Sequence, residues 1–218
     1  MIPRPSIRDA RRDMFRQQIL SAAEFEFASA GFDKTKVADI ARTADVSLAT
    51  VYKIFSGKDE IWDVLNRQRV DEFIAAGLRA TESVASPLER LLAALRALVT
   101  YFVEHPNYLH LHIKEGLSWA TAGEQWGRGN QRDAWRIGIT HIADLAAEAV
   151  AAGEAPAMRP SILAGLTVSA LQVWLTDWVR SDQDRPPSQL IAELDQYMRR
   201  LVSTTTASPS TVAGSGES

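Results

Sequence analysis

His105, His110, His112 and His141 are the residues best suited to metal ligation or proton transfer in this sequence. Cysteine is absent, which excludes thiolate metal sites, iron–sulfur clusters, disulfides and a cysteine nucleophile. Three of the histidines stand close together. His110 and His112 are two apart, however, and on a helix such residues point roughly away from each other. No Asp or Glu accompanies them in a recognisable metal signature. A hydrogen bond to a bound polar group, or plain surface placement, is the expected role, and His141 carries no signal at all. The carboxylate pairs Asp59-Glu60 and Asp71-Glu72 are adjacent in sequence and do not face each other on a helix. There is no nucleophile motif and no glycine-rich phosphate loop. No catalytic residue, metal ligand or cofactor is expected, and the chain is not expected to be an enzyme.

A second chemistry, the binding of nucleic acid, is bounded by charge. The net charge is -3, so the protein cannot coat nucleic acid over its whole surface. The charge is uneven, though. Residues 1–58 carry a balance of +3 and residues 59–218 one of -6. A small, mildly basic module ahead of a larger acidic one is the organisation this suggests.

These residues must be positioned by helices. Hydrophobic residues make up 46% of the chain, enough for a core, and no alternating strand run or internal repeat is visible. The fold class is therefore all-α. Phe15, Ile19, Ala22, Ala23, Phe27 and Ala30 form one buried stripe of a helix over about 8–30, which Gly31 stops. Thr35 is a candidate cap for a helix carrying Val37, Ile40, Ala41 and Ala44. After a turn at Asp45, Ser47 caps a third helix over 48–55. Two short helices joined so tightly have helix-turn-helix spacing, which projects the second helix toward a major groove. A long helix starts at Lys58, and helical stripes continue to Val202. The chain divides into a helix-turn-helix domain (1–58), a larger helical domain (59–203) and a Ser/Thr/Gly-rich tail (204–218) expected to be disordered. The N-terminus lacks the apolar run of a signal peptide. The most apolar stretch, Ser161 to Trp178, is short of a span and contains Gln172 and Asp177. A cytoplasmic protein without membrane contact is expected.

The stretch from Ile19 to Trp62 resembles the DNA-binding domain of TetR-family (tetracycline-repressor-type) transcriptional regulators. The matching motifs are Ile19-Leu20-Ser21-Ala22-Ala23, Phe27-Ala28-Ser29-Ala30-Gly31-Phe32 and Thr35-Lys36-Val37-Ala38-Asp39-Ile40-Ala41. Val46-Ser47-Leu48-Ala49-Thr50-Val51-Tyr52 and Phe55-Ser56-Gly57-Lys58-Asp59-Glu60-Ile61 follow in the family's order and spacing. The resemblance covers about a fifth of the chain. It implies that Leu48, Ala49, Thr50, Tyr52 and Lys53 lie on a recognition helix capped by Ser47, with Thr50 and Lys53 touching base edges or nearby phosphates. It implies backbone contacts from Thr35, Lys36, Arg42 and Lys58. Three positions depart from the family pattern: Asp45 stands where glycine is usual, Glu26 where an apolar residue is usual, and Ile54 where an aromatic or histidine is common.

The resemblance further implies a small-molecule pocket and a homodimer in the larger domain. Aromatic side chains are plentiful there, and Phe73, Phe102, Tyr108, Trp119 and Trp135 are the expected lining. Leu163, Leu166, Ala170, Leu171, Trp174 and Trp178, with Leu190, Leu194, Tyr197 and Leu201, are the expected dimer face, two helices from each subunit. The implied function is a repressor that leaves a palindromic, double-stranded operator when a small hydrophobic or aromatic effector binds. An activator, a ligand-independent regulator of the same fold, and a helical ligand-binding protein that has lost DNA binding remain alternatives.

Overall fold

Ser6 starts the first helix by accepting a hydrogen bond from the Asp9 amide at 3.1 Å. In this computed structural model residues 6–114 and 130–202 are described, the side chains of 130–135 excepted. The elements among them are all helices: α1 (Ile7–Ala30), α2 (Val37–Thr43), α3 (Leu48–Ile54), α4 (Lys58–Thr81), α5 (Pro87–Glu104), α6 (Pro106–Lys114), α7 (Asn130–Ala151), α8 (Pro160–Arg180) and α9 (Pro187–Val202). The all-α expectation holds. Trp119 and the tail 204–218 lie outside the described residues.

Helices α2 and α3, seven residues each, are too short to bury much surface separately, so their apolar faces meet that of α1 in one small core. Phe27 and Phe32 from the end of α1 pack edge-on against Trp62 of α4, with ring centroids 5.1 and 4.9 Å away. Ile19, Ala23, Ile40, Val51 and Phe55 complete that core, all nearly sealed from solvent. The turn between α2 and α3 closes α2 as a Schellman motif. The Asp45 amide donates to the Arg42 carbonyl and the Val46 amide to that of Ala41. Asp45 adopts φ 51° there, so aspartate carries the left-handed conformation that glycine usually supplies. Glu26, the second departure, accepts a hydrogen bond from the Thr43 hydroxyl and so ties α1 to α2.

The larger body is a layered bundle. α4 packs on α5 and α7, α7 on α5 and α8, and α9 on α5 and α8. Ser86 caps α5 with Pro87 at its first position, and Leu91, Leu92, Leu95, Leu98, Val99 and Phe102 then face the core. His105 ends α5, with Pro106 opening α6. α6 packs on α1 and thereby joins the body to the head.

α8 has 21 residues and is the one described helix long and apolar enough to cross a membrane by length and composition. The expectation that this stretch falls short of a span is corrected to that extent. Its apolarity has a structural use. One stripe, including Leu163, Val168, Leu171, Leu175 and Trp178, is buried in the protein core.

Candidate nucleic-acid interface and effector cavity

The Ser47 hydroxyl accepts from the Thr50 amide at 3.0 Å and pairs with the Thr50 hydroxyl at 2.7 Å. This satisfies the amide end of α3 and fixes Thr50 against its cap. Val51 is turned inward and fully buried. The opposite side of α3 is therefore free. Leu48 is 43% and Tyr52 54% exposed, with none of the described residues covering them. Ala49 and Lys53 are exposed beside them, and Thr50 is half-buried. A short helix bearing an exposed leucine, tyrosine and lysine, anchored by one valine, leaves most of its surface open to a partner. Lys36 is exposed at the start of α2. Arg42 is exposed on the same helix and pairs with Asp39 at 2.8 Å.

Two of the expected contacts are corrected. Thr35 is only 2% exposed, and its hydroxyl donates back to the carbonyls of Gly31 at 2.8 Å and Glu26 at 3.2 Å. It closes the end of α1 instead of capping α2, whose cap position is Lys36. Lys58 is also occupied. Its ammonium donates to the carbonyls of Phe32 (2.8 Å), Thr35 (3.0 Å) and Asp33 (3.3 Å) and lies 4.4 Å from the centre of the Phe32 ring. Three N–H donors meet three carbonyls of the loop that follows α1, so Lys58 holds that loop rather than a phosphate.

Head and body are tied by buried charge. Arg69 of α4 donates through Nε to Glu24 of α1 at 2.8 Å and through Nη1 to Glu72 at 2.8 Å. Glu72 also accepts from Gln68 at 3.0 Å and from the Tyr101 hydroxyl of α5 at 2.8 Å. Burial alone would raise the Glu72 carboxyl, but the hydrogen bonds from Gln68, Arg69 and Tyr101 outweigh it and hold the group below its ordinary value. Tyr101 is pushed up, chiefly by burial and then by Glu72, and so stays a donor.

Between α4, α5, α7 and α8 lies an apolar cavity whose wall includes Phe73, Gly77, Leu98, Gly138, His141 and Val168. Unfilled space there amounts to about 490 Å³ with its mouth included, but it is narrow, because the Phe73 ring lies directly on Gly138. A Cβ at Gly138 would stand 2.9 Å from Cζ of Phe73, so glycine is required for that close approach. Phe73 was expected as lining and is on the wall.

Phe102 and Tyr108 are corrected. Both are fully buried away from the cavity, parallel to each other at 6.0 Å, with His112 set edge-on to both. They are core because α5 and α6 turn them toward each other across His105-Pro106. Trp135 is on α7, but its side chain is outside the described residues, as is all of Trp119. His141, which gave no sequence signal, is on the wall, and its Nε2 is buried without a hydrogen-bond partner among the described residues. Sequence reading missed it because the cavity is assembled from four helices distant in the chain. Its place three residues from Gly138 on one helix face was the only available clue.

The expected dimer face divides in two. Leu163, Leu171, Trp178, Leu190 and Leu194 are corrected, since they lie in the core of the single chain. α9 turns Leu190, Leu194, Met198 and Val202 inward, one turn apart. Leu166 and Tyr197 are exposed, and Ala170, Trp174 and Leu201 are half-buried. Ile162 (49% exposed) and Val173 (64%) join Leu166 on the outer side of α8, though neither was expected there. Trp174 and Tyr197 meet at the edge of this surface, with ring centroids 4.6 Å apart. α8 is apolar on two sides, and contiguous apolarity in the sequence does not separate them.

The sequence model of a family described as "Bacterial regulatory proteins, tetR family" matches residues 19–64. HTH-type transcriptional regulator HbdR of Aromatoleum sp. is 35% identical over 82 residues, 38% of this chain and 36% of that protein. HTH-type transcriptional repressor KstR2 of Mycobacterium tuberculosis is 37% identical over 76 residues, 35% of this chain and 38% of that protein. These matches span little more than a third of the curated relatives' lengths. The likeness in fold reaches further. The solved structure of KstR2 superposes with TM-score 0.65 at 22% identity, covering 86% of this chain and 94% of that one. FadR of Bacillus subtilis, solved with stearoyl-CoA, gives TM-score 0.67 at 19% identity, covering 84% and 96%. The matched segment 19–64 contains the capped, outward-facing helix α3 and the aromatic core beneath it. Residues 19–64 thus match the tetR family of bacterial regulatory proteins, and over most of the chain the fold is like that of KstR2 and FadR.

Proposed function

We propose that the protein is a homodimeric, ligand-responsive transcriptional repressor that binds a dyad-symmetric operator and leaves it when a small apolar effector binds. The observation that carries this reading is the exposed face of α3, where Leu48, Ala49, Tyr52 and Lys53 stand free beside the Ser47 cap. Residues 1–58 are the reading domain in this proposal and residues 59–203 the effector and dimer domain. Thr50 and Lys53 read base edges or adjacent phosphates, while Lys36 and Arg42 touch the DNA backbone. The outer stripe of α8 forms the dimer face with Tyr197 and Leu201. It presents the two α3 helices at a fixed separation, so the half-sites repeat with the protein's own symmetry.

The effector acts through differential affinity. It prefers the state in which the recognition helices are wrongly spaced, and DNA prefers the other. The apolar cavity supports a hydrophobic effector. The name of one relative, which speaks of a ketosteroid regulator, is in keeping with that class.

Selection of bound fragments from the source genome tests the reading, followed by fluorescence anisotropy on the recovered DNA at two salt concentrations. Enrichment of a dyad-symmetric site, bound well above random DNA, is the expected result. Weak binding without enrichment, falling steeply with salt for every sequence alike, would leave only nonspecific attraction and defeat it.

A further inference from the structure

We infer that His141 selects the effector: the cavity takes an uncharged, compact apolar molecule carrying one hydroxyl or carbonyl oxygen, which hydrogen-bonds Nε2 of His141. The inference rests on the ligand-site reading above and deepens it. Every described residue on the wall other than His141 is aliphatic, aromatic or glycine. His141 Nε2 is buried and has no partner among the described residues. A buried ring nitrogen left unpaired is costly, and an apolar molecule that merely fills the space leaves that cost in place. One that brings an oxygen to Nε2 removes it. Imidazole can donate or accept at this atom according to tautomer, so both hydroxyl and carbonyl oxygens qualify. A carboxylate does not, because no lysine or arginine is among the described wall residues to balance a buried negative charge.

The seat for the apolar body is also visible. The enclosed part of the cavity holds little more than a water molecule while Phe73 lies on Gly138. The ligand therefore enters by moving the Phe73 ring, whose neighbour Glu72 and helical neighbour Arg69 belong to the charged tie with α1. A Cβ at Gly77, also on the wall, meets no atom within 4 Å. Gly77 is part of that wall, so a larger side chain there can be introduced without a clash at its Cβ.

The experiment is calorimetric titration of the full chain with naphthalene, 2-naphthol and 2-naphthoate. The wild-type protein is expected to bind 2-naphthol about tenfold more tightly than naphthalene, the return of one buried hydrogen bond, and to bind 2-naphthoate more weakly than 2-naphthol. His141→Leu should abolish the preference for 2-naphthol while retaining naphthalene, which also shows that the variant is folded. His141→Gln should keep part of the preference. Gly77→Leu should lose both ligands. A preference for 2-naphthol that survives in His141→Leu overturns the inference, as does undiminished binding in Gly77→Leu, since the probe is then seated elsewhere. Equal wild-type binding of naphthalene and 2-naphthol overturns the role of His141 and leaves the ligand site standing. Failure of all three probes to bind the wild-type protein removes the site and the inference together.

Discussion

Arg69 and Glu24 are 45 residues apart in sequence, yet Nε of the guanidinium lies 2.8 Å from the carboxylate, joining α4 to α1. Both groups are largely withdrawn from water, with side chains 17% and 6% exposed. Burial works against the charged form of Arg69, but Glu24 and Glu72 more than offset it. Such a pair is costly to break from one side, because the remaining charge stays buried. Glu24→Leu is expected to lower stability by about 3 kcal/mol, measured by urea denaturation. The double variant Glu24→Leu, Arg69→Met should recover most of that loss. A single variant as stable as wild type would show that the pair is not what joins the two parts.

Lys58 and Lys53 are expected to separate stability from recognition. Lys58→Ala removes a cation from three carbonyls and should destabilise the protein by about 2 kcal/mol. Lys53→Ala, on the exposed face of α3, should change stability by less than about 0.5 kcal/mol. It should, however, weaken or re-order preference among operator variants in anisotropy titrations. The opposite pattern would restore Lys58 to the phosphate role that its position at a helix start suggests.

Stability should fall on mild acidification because of His112. Burial pushes this histidine down to about 3, whereas in the unfolded chain it titrates near 6.5. Above pH 6.5 the ring is neutral in both states and costs nothing. Below it, the unfolded chain takes up a proton that the folded chain refuses, so stability is lost at about 1.4 kcal/mol per pH unit until the folded ring itself titrates. The native carboxylates held low, such as Glu72, add their losses only below about 4.5. Urea midpoints at pH 7.5, 6.0 and 5.0 should therefore decline, and His112→Leu should remove most of the slope between the last two.

Leu166→Glu with Val173→Glu should yield a folded monomer by sedimentation, since both residues are exposed on α8. Leu171→Glu should instead unfold the protein, because that side chain is fully buried within one chain. An unchanged dimer in the first variant would move the interface elsewhere.

The head was legible in sequence because its signals are local. Ser47, Gly31 and the three- and four-residue spacing around Ile19 and Phe27 mark helix ends and buried faces without reference to distant residues. The left-handed turn at Asp45 was readable for the same reason. Thr35 and Lys58 were misread because a hydroxyl or ammonium at a helix start can turn toward a phosphate or back onto free carbonyls, and only the path of the preceding loop decides. In the larger domain, aromatic type did not separate Phe73 on the cavity from Phe102 and Tyr108 in the core. The two apolar sides of α8 read as one. His141 was invisible because its significance depends on Phe73 of α4 and Val168 of α8, neither near it in the chain.

The unbroken run of α4 from Lys58 to Thr81 has a mechanical consequence. At about 1.5 Å per residue the helix is a rod of about 36 Å, and Phe73 sits about 22 Å along it from Lys58. A tilt of about 5° pivoting near Phe73 carries the Lys58 end through about 2 Å, a displacement that matters for register in a groove about 12 Å wide. Lys58 grips the loop between α1 and α2, so that travel is delivered to the base of the head rather than dissipated in a flexible joint. In the proposed mechanism a small rotation of α4 about the cavity is thereby enlarged into a displacement at the reading head, and leverage does the work that a large rearrangement would otherwise require.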